Sequence, residues 1–504
     1  MKTTTFLLIL AVVIPCRADP DWEKVHRITI QGIDRLFNLD FQLAEQSFDE
    51  VIKMAPGDPR GYFFKSMIHY WVFNLTLDES AFEKFFDLSE KVIDVCSTVL
   101  KSDENNGMAK FYLGGIYGYR GLAHQRNGSL LSAVWDGRKG YGYLEEAATQ
   151  NAGVYDAQMG FGLFKYLVAR VPKSFRWILN ILGFSGDREG GLAAIKLAAD
   201  KGIYATNEAA FFYAQFSYLE EREEEAYRYL QRLLDKYPHN TLFLITYAQW
   251  EFRKNNLDNA MAAAEKAVEI NNRRAIKVGD EFAFFVLGNF YFAQNDFEKA
   301  AKNMELAIRR TERREGVFNA VYYRLGLAYE LLGQRAKAVE TYRKTAKADR
   351  EDNPWQYHNY RLARKRIVLP LDSVDITTLK ATNATALKEF DRAIGLFEEI
   401  VDHPTASNDQ KALALYGLSG AFLEKESLDE ALRIANRLLT ISPSQEQWII
   451  PHGLLRRGII LQKLGREAEA RKDFERVDDF DGYDFQDRLE TRAEEEIRKL
   501  DGAS

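Results

Sequence analysis

What most constrains this chain is an order of side chains that keeps returning from residue 207 onward. A bulky residue comes first, then leucine beside a glycine or another small residue, then an aromatic, and further on an alanine and a second large residue. The clearest copy, from about residue 281, has Phe284, Leu287, Gly288 and Tyr291, then Ala300, Met304 and Ala307. The next, near 319, has Tyr322, Leu325, Gly326, Tyr329, Ala338 and Tyr342. A copy from about 412 has Leu415, Leu418, Ser419, Phe422, Ala431, Ala435 and Leu438 and ends at Pro443, and one from about 451 has Leu454, Gly458, Leu461, Ala470 and Phe474. Weaker copies start near 207 (Ala214, Ala226, Leu230, Pro238), near 241 (Ala248, Ala260, Ala264) and near 25 (Gly32, Ala44, Phe48, Pro56). Small residues let two helices approach closely, and large ones fill the space against the next pair.

Seven such units resemble tetratricopeptide repeats, in which each unit is a helix pair that buries its apolar face only by stacking on its neighbours. The expected fold is all-α: a right-handed α-solenoid of helix pairs, with a glycine-rich helical insertion. Its concave surface is expected to take an extended peptide or a helix of a partner protein, with aromatic and basic groove residues as anchors. In LDNAMAAAEKAVEI the alanines face inward while Asp258, Glu265 and Lys266 stay wet, and Asn256 and Asp258 are placed to cap the free amides. The charged helix from Phe485 to Leu500 suits a solvating C-terminal cap.

The first residues read as a secretory signal: Lys2, the apolar run Phe6 to Ile14, and Ala18 before Asp19. Cleavage after Ala18 is expected, giving an exported protein, periplasmic or outer-membrane-associated in a bacterium. Lipid attachment at Cys16 is the alternative, but Pro15 stands where a lipoprotein signal wants a small residue. The mature chain keeps 66 basic residues against 74 acidic, a net charge of −8, which argues against nucleic acid as a partner. Cys96 is then the sole thiol, in a helical run where a small buried apolar residue is the better reading.

The pattern breaks twice. Residues 347–383 carry two prolines and a β-branched run, so a linker and a subdomain boundary are expected there. Between Gly107 and Gly191 lie 16 of the 33 glycines, interleaved with aromatics, which points to close helix contacts and not to a flexible linker. The expected organisation is thus a signal at 1–18, helical repeats at 19–106, the glycine-rich region at 107–205, repeats at 206–350, a linker at 351–383, and repeats with a capping helix at 384–504.

Within the glycine-rich region, MGFGLFKYLVARVPKSFRWILNILGFSGDREGGLAAIKLAADKG, residues 159–202, resembles the tetratricopeptide repeat protein 39 family, which includes the inclusion-body clearance proteins of fungi. A helix, a proline-marked turn, an apolar helix and the element Gly183, Phe184, Ser185, Gly186 precede a further helix, as in that family. The resemblance implies a helical, non-enzymatic protein that acts by binding, with links to lipid droplets and aggregate clearance. A signal peptide is a departure from those intracellular proteins.

Catalytic and cofactor chemistry finds little support. The Gly140/Gly142 and Gly160/Gly162 pairs lack the third glycine and the preceding strand of a dinucleotide site. Gly183–Gly186 does not have the spacing of a nucleophile elbow; there Ser185 is expected to cap the next helix, with Asp187 and Glu189 at its positive end and Gly202 at its exit. The seven histidines, at 26, 69, 124, 239, 358, 403 and 452, stand singly, so no metal is expected. Glu220 to Glu225 reads as a solvated face, and the clusters Arg309, Arg310, Arg313, Arg314 and Arg361, Arg364, Lys365, Arg366 as salt-bridged edges. The expected ligand contacts are Arg138, Lys139, Tyr141, Arg170, Arg176 and Trp177. An apolar stripe of Phe175, Ile178, Leu179 and Leu182 leaves a lipid or membrane surface as the alternative partner.

Overall fold

The computed structural model describes residues 20–150, 154–170, 184–311, 319–350 and 353–502, which form 24 α-helices and no strand. They fall into two compact units, divided between Asn240 and Thr241. The first holds α1 (Trp22–Phe37), α2 (Phe41–Met54), α3 (Pro59–Thr76), α4 (Glu79–Ser102), α5 (Gly107–Arg126), α6 (Leu130–Gln150), α7 (Ala157–Ala169), α8 (Arg188–Lys201), α9 (Thr206–Leu219) and α10 (Glu223–Lys236). The second holds α11 (Thr241–Arg253), α12 (Leu257–Asn272), α13 (Asp280–Ala293), α14 (Phe297–Thr311), α15 (Asn319–Leu331), α16 (Arg335–Arg343) and α17 (Pro354–Val368). It continues with α18 (Ser373–Ala386), α19 (Phe390–Asp402), α20 (Asn408–Glu424), α21 (Leu428–Leu438), α22 (Ile449–Lys463), α23 (Glu467–Glu475) and α24 (Gln486–Leu500).

The repeat is written into the backbone at the turn inside each pair. Leu39, Glu221, Asn255, Asn295, Gly333, Lys388, Glu426 and Gly465 all have positive φ, and each lies between the two helices of a pair. In each, the next residue's amide reaches back five positions, as Arg222 does to Ser217 and Gln334 to Tyr329, both at 2.8 Å. This closure satisfies carbonyls that the helix end leaves free. Only two of the eight positions are glycine, so the turn is imposed by packing of the pair and not by local preference alone.

That packing explains the glycine and aromatic positions. A Cβ on Gly32, Gly288, Gly326 or Gly458 would fall within 2.8 Å of Phe48, Met304, Tyr342 or Phe474 respectively, each 16 residues further on. The first helix gives up a side chain so that the second can seat a large one. In the glycine-rich region the contact is closer still. A Cβ on Gly140 would lie 2.8 Å from the Gly118 amide and 3.0 Å from the Gly114 carbonyl, and Gly162 and Gly191 face each other in the same way. Close helix contact, as the aromatic interleaving implied, is what these glycines provide.

Several local expectations are corrected. Residues 354–368 and 373–386 are the helices α17 and α18, not an extended linker. Pro354 begins α17 behind the Asn353 cap, and Pro370 follows its C-cap Leu369, so both prolines punctuate the helix. A reciprocal Asp372–Asp375 capping box starts α18, which pairs with α19 as a further repeat. Asp187, not Ser185, caps α8 through the Gly190 amide. The Asn256 side chain caps nothing and donates instead to Glu251. Glu220 is no solvated carboxylate: it accepts from Tyr166, Arg170 and Arg188. Cys96 is fully buried, and burial pushes its thiol up to about 12. No helix among the described residues is long and apolar enough to cross a membrane. The signal at 1–18 lies outside those residues.

Candidate functional site

The expected contact residues of the first unit occupy separate places. Lys139 Nζ stands 5.0 Å from the centre of the Tyr117 ring. Tyr141 packs against Phe164 at 4.4 Å and against Phe161 and Phe184, and its hydroxyl donates to Glu145 at 2.8 Å. Burial and that carboxylate push its phenol up to about 12. Arg170 donates to Tyr166 at 2.8 Å and pairs with Glu220 at 3.0 Å, while Arg138 is exposed on α6 and partnered. Arg176, Trp177 and the apolar stripe from Phe175 to Leu182 lie outside the described residues.

The strongest convergence of charged and aromatic side chains is in the second unit, where α15, α17, α20 and α22 meet the segments around Glu446 and Asp484. Arg361 is its hub. One nitrogen, Nη2, is 2.8 Å from Glu446 Oε2 and 2.8 Å from Asp484 Oδ2, and Nε adds a 3.1 Å bond to Asp484. Lys365 reaches Glu446 at 3.3 Å, Trp448 Nε1 donates to Glu446 at 3.0 Å, and His358 Nδ1 lies 2.7 Å from Asp484. Asp409 fixes the Glu446 segment by accepting the Gln445 and Glu446 amides at 2.9 and 2.8 Å. Burial would push the Glu446 and Asp484 carboxyls up, but Arg361 with Lys365 for the first, and His358 with Arg361 for the second, hold both below the usual range.

Around this paired centre stand cations with no carboxylate among the described residues. Arg324, half-buried on α15, lies 5.0 Å from the centre of the Phe292 ring and makes neither ion pair nor hydrogen bond there. Burial holds its guanidinium below the ordinary arginine value, with only the Tyr323 phenol opposing. Tyr323 is itself pushed up by burial while it feels Arg366, Arg324 and Glu446. Arg456 lies over the Tyr416 ring at 3.5 Å and donates to the Tyr416 carbonyl. Trp448 links Tyr416 at 5.7 Å, His452 at 5.2 Å and His358 at 6.3 Å, and Trp355, exposed, sits edge-on to Phe485 at 4.9 Å. Burial lowers His452 to about 4, with Arg456, Arg488 and His358 adding to the effect, so the imidazole is neutral near pH 7.

The histidines at 358 and 452, which stand singly in the sequence, are therefore gathered around one tryptophan. Arg361, Lys365 and Arg366 are ion-paired, as the sequence implied, with Arg366 reaching Asp375 at 2.6 Å, whereas Arg364 lies over the Tyr360 ring at 5.0 Å and pairs with no carboxylate among the described residues. Arg309 and Arg310 pair with Glu305 and Asp280, while Arg313 and Arg314 lie outside the described residues. Arg324 and Tyr323 were missed, because they fall between the packing positions Tyr322, Leu325 and Gly326 that make the repeat visible. Such intervening positions are the ones a stacked helix pair leaves available to a ligand.

Residues 150–348 match the family described as Iml2/Tetratricopeptide repeat protein 39, and residues 378–446 match a tetratricopeptide repeat. The chain is a tetratricopeptide-repeat protein whose residues 150–348 match the Iml2/tetratricopeptide repeat protein 39 family. The second match runs from within α18 to beyond α21, so it takes in part of the helix expected to belong to a linker. Tetratricopeptide repeats mark a protein-interaction scaffold, and proteins of this kind are generally non-catalytic.

Among solved structures, this tetratricopeptide-repeat protein is similar to a human IFIT1 dimer with m7Gppp-AAAA, at 13% identity over 91% of this chain and 95% of that one, with a TM-score of 0.35. It is similar to yeast Tom70 at 12% identity over 95% and 96%, with a TM-score of 0.26. It is also similar to YrrB, a tetratricopeptide-repeat protein with an unusual peptide-binding site, at 16% identity over 44% and 96%, with a TM-score of 0.22. At these values nothing of their ligands or assemblies carries over.

Proposed function

We propose that this chain is an exported, non-catalytic scaffold that takes an extended acidic segment of a partner protein against the α15, α17, α20 and α22 side chains of the second unit. The observation that carries the reading is Arg324, a half-buried guanidinium without a carboxylate among the described residues, beside Tyr323 and the Arg361 network. A desolvated cation left unpaired costs stability, and an incoming carboxylate recovers that cost through a charge-assisted, bidentate bond. Arg456 over Tyr416, together with Trp448 and Trp355, offers aromatic and cationic surface for the rest of the segment.

The test is fluorescence anisotropy with labelled acidic peptides and their Asn/Gln counterparts, on protein recovered from its own cells with its intact mass measured. The expected mass begins at Asp19. The acidic peptides are expected to bind more tightly, to weaken with salt, and to lose about tenfold in affinity in Arg324→Met, the worth of one charge-assisted contact. Equal binding of acidic and amide peptides would sink the binding reading. A chain that begins at Met1 and stays in the cytosolic fraction would sink the export reading.

A further inference from the structure

The first unit holds a group of opposite character. Glu208, on the first turn of α9, has a buried Oε1 with no hydrogen-bond partner, and no cation pairs with it among the described residues. It faces the Tyr119 hydroxyl of α5, likewise buried and without a well-aligned partner. Tyr70 of α3 is the second ring: it lies 4.9 Å from that of Tyr119 in a T-shaped contact, and its phenol feels the charges of both Glu208 and Arg126. No charged group of α8 or α10, the helices packed on α9, acts on the carboxyl. Burial pushes it up to about 7, with Tyr119 alone opposing.

We propose that Glu208, with Tyr70 and Tyr119, is a binding site for a single organic cation: the guanidinium or ammonium of a partner's arginine or lysine side chain. One carboxylate and two phenols are too few oxygens for calcium, which takes six to eight, or for magnesium, which demands an octahedron. Aromatic rings beside one carboxylate suit a weakly hydrated organic cation, which gains from the ring faces as well as from the charge. The site is proton-gated: the cation binds the ionised carboxylate, so occupancy expels a proton wherever the empty site is protonated. This inference rests on the scaffold reading only in that the cation belongs to a partner protein. It does not depend on the acidic segment proposed for the second unit.

The experiment is calorimetric titration of the full mature chain with Nα-acetylarginine N-methylamide, in buffers of different ionisation enthalpy. Binding is expected to release roughly half a proton at pH 7 and none at pH 9, and to be at least about tenfold tighter at pH 8 than at pH 5.5. Glu208→Gln should weaken it at pH 8 by about tenfold or more, whereas Glu208→Asp, which keeps the carboxylate, should retain the proton release. Acidic-peptide binding, measured on the same samples, should be unchanged in both variants; its loss in wild type alone would count against the second-unit reading and leave this one standing. Equal affinity of wild type and Glu208→Gln for the arginine probe, or binding with no proton release at pH 7, would overturn the proposal.

Discussion

The two units are built from the same helix pair with the same left-handed turn residue, yet they enclose opposite interiors. The first sets the buried Glu208 Oε1, unpartnered among the described residues, beside the phenols of Tyr70 and Tyr119. The second gathers Arg361, Lys365, Glu446 and Asp484 into one ion-paired network and leaves Arg324 beside it without an acid. The difference teaches that the repeat dictates how helices stack but not what their intervening positions present. Those positions tolerate an aromatic lining or a charged one because neither disturbs the contact between a small residue and a large one that recurs at a separation of 16 residues, as at Gly32 and Phe48 or Gly288 and Met304.

The network of the second unit is the more expensive to break. Arg361→Ala leaves the Glu446 and Asp484 carboxylates, 7% and 6% exposed, without their guanidinium. A loss of about 3–5 kcal/mol is expected, read as early unfolding in denaturant of the second unit with the first left intact. Loss of less than about 1 kcal/mol would mean that the network behaves as an exposed surface pair.

The next test turns on pH, because the two interiors titrate in opposite senses. The folded-state value of Glu208 is raised to about 7, so the native state keeps a proton that the unfolded chain has released. Wild-type stability therefore falls as pH rises from about 4.5 to 7 through this group. The gain from Glu208→Gln should be absent below pH 4.5 and reach on the order of 2–3 kcal/mol above pH 7. His452 is lowered to about 4, so the unfolded chain binds the proton first, and wild-type stability falls as pH drops from about 6.5 to 4. The gain from His452→Gln should accordingly grow toward acid and vanish above pH 6.5. Urea unfolding at pH 4, 6 and 8 measures both, and gains that run in the same direction would erase the contrast.

Most of the architecture could be read from the sequence because its packing contacts fall at a fixed separation: Gly326 and Tyr342, or Gly458 and Phe474, betray a helix pair before any coordinates. The α18–α19 pair escaped because its equivalents are Ala381 and Phe397, within a threonine-rich helix that lacks the glycine and tyrosine of its neighbours. The capping residues near Ser185 and Asn256 were misplaced because several polar side chains stand within reach of each helix start, and only backbone geometry selects among them. The sites were harder. Glu446, Asp484, His358 and Arg361 lie up to 126 residues apart and meet only through tertiary packing, so spacing carries no trace of them. Glu208 and Arg324 draw their character from what is missing around them, and no pattern of residues announces an absent partner.

Amide hydrogen exchange of the full chain, with and without an acidic peptide at a concentration near its wild-type Kd, tests the central claim most directly. The account expects new protection concentrated in α15, α17 and α22 and around Glu446 to Trp448, and expects Arg324→Met to reduce it about fivefold at that peptide concentration while leaving the exchange pattern of the unliganded chain as in wild type. Protection confined to the second helices of the pairs or to the first unit, or protection undiminished in Arg324→Met, would contradict it.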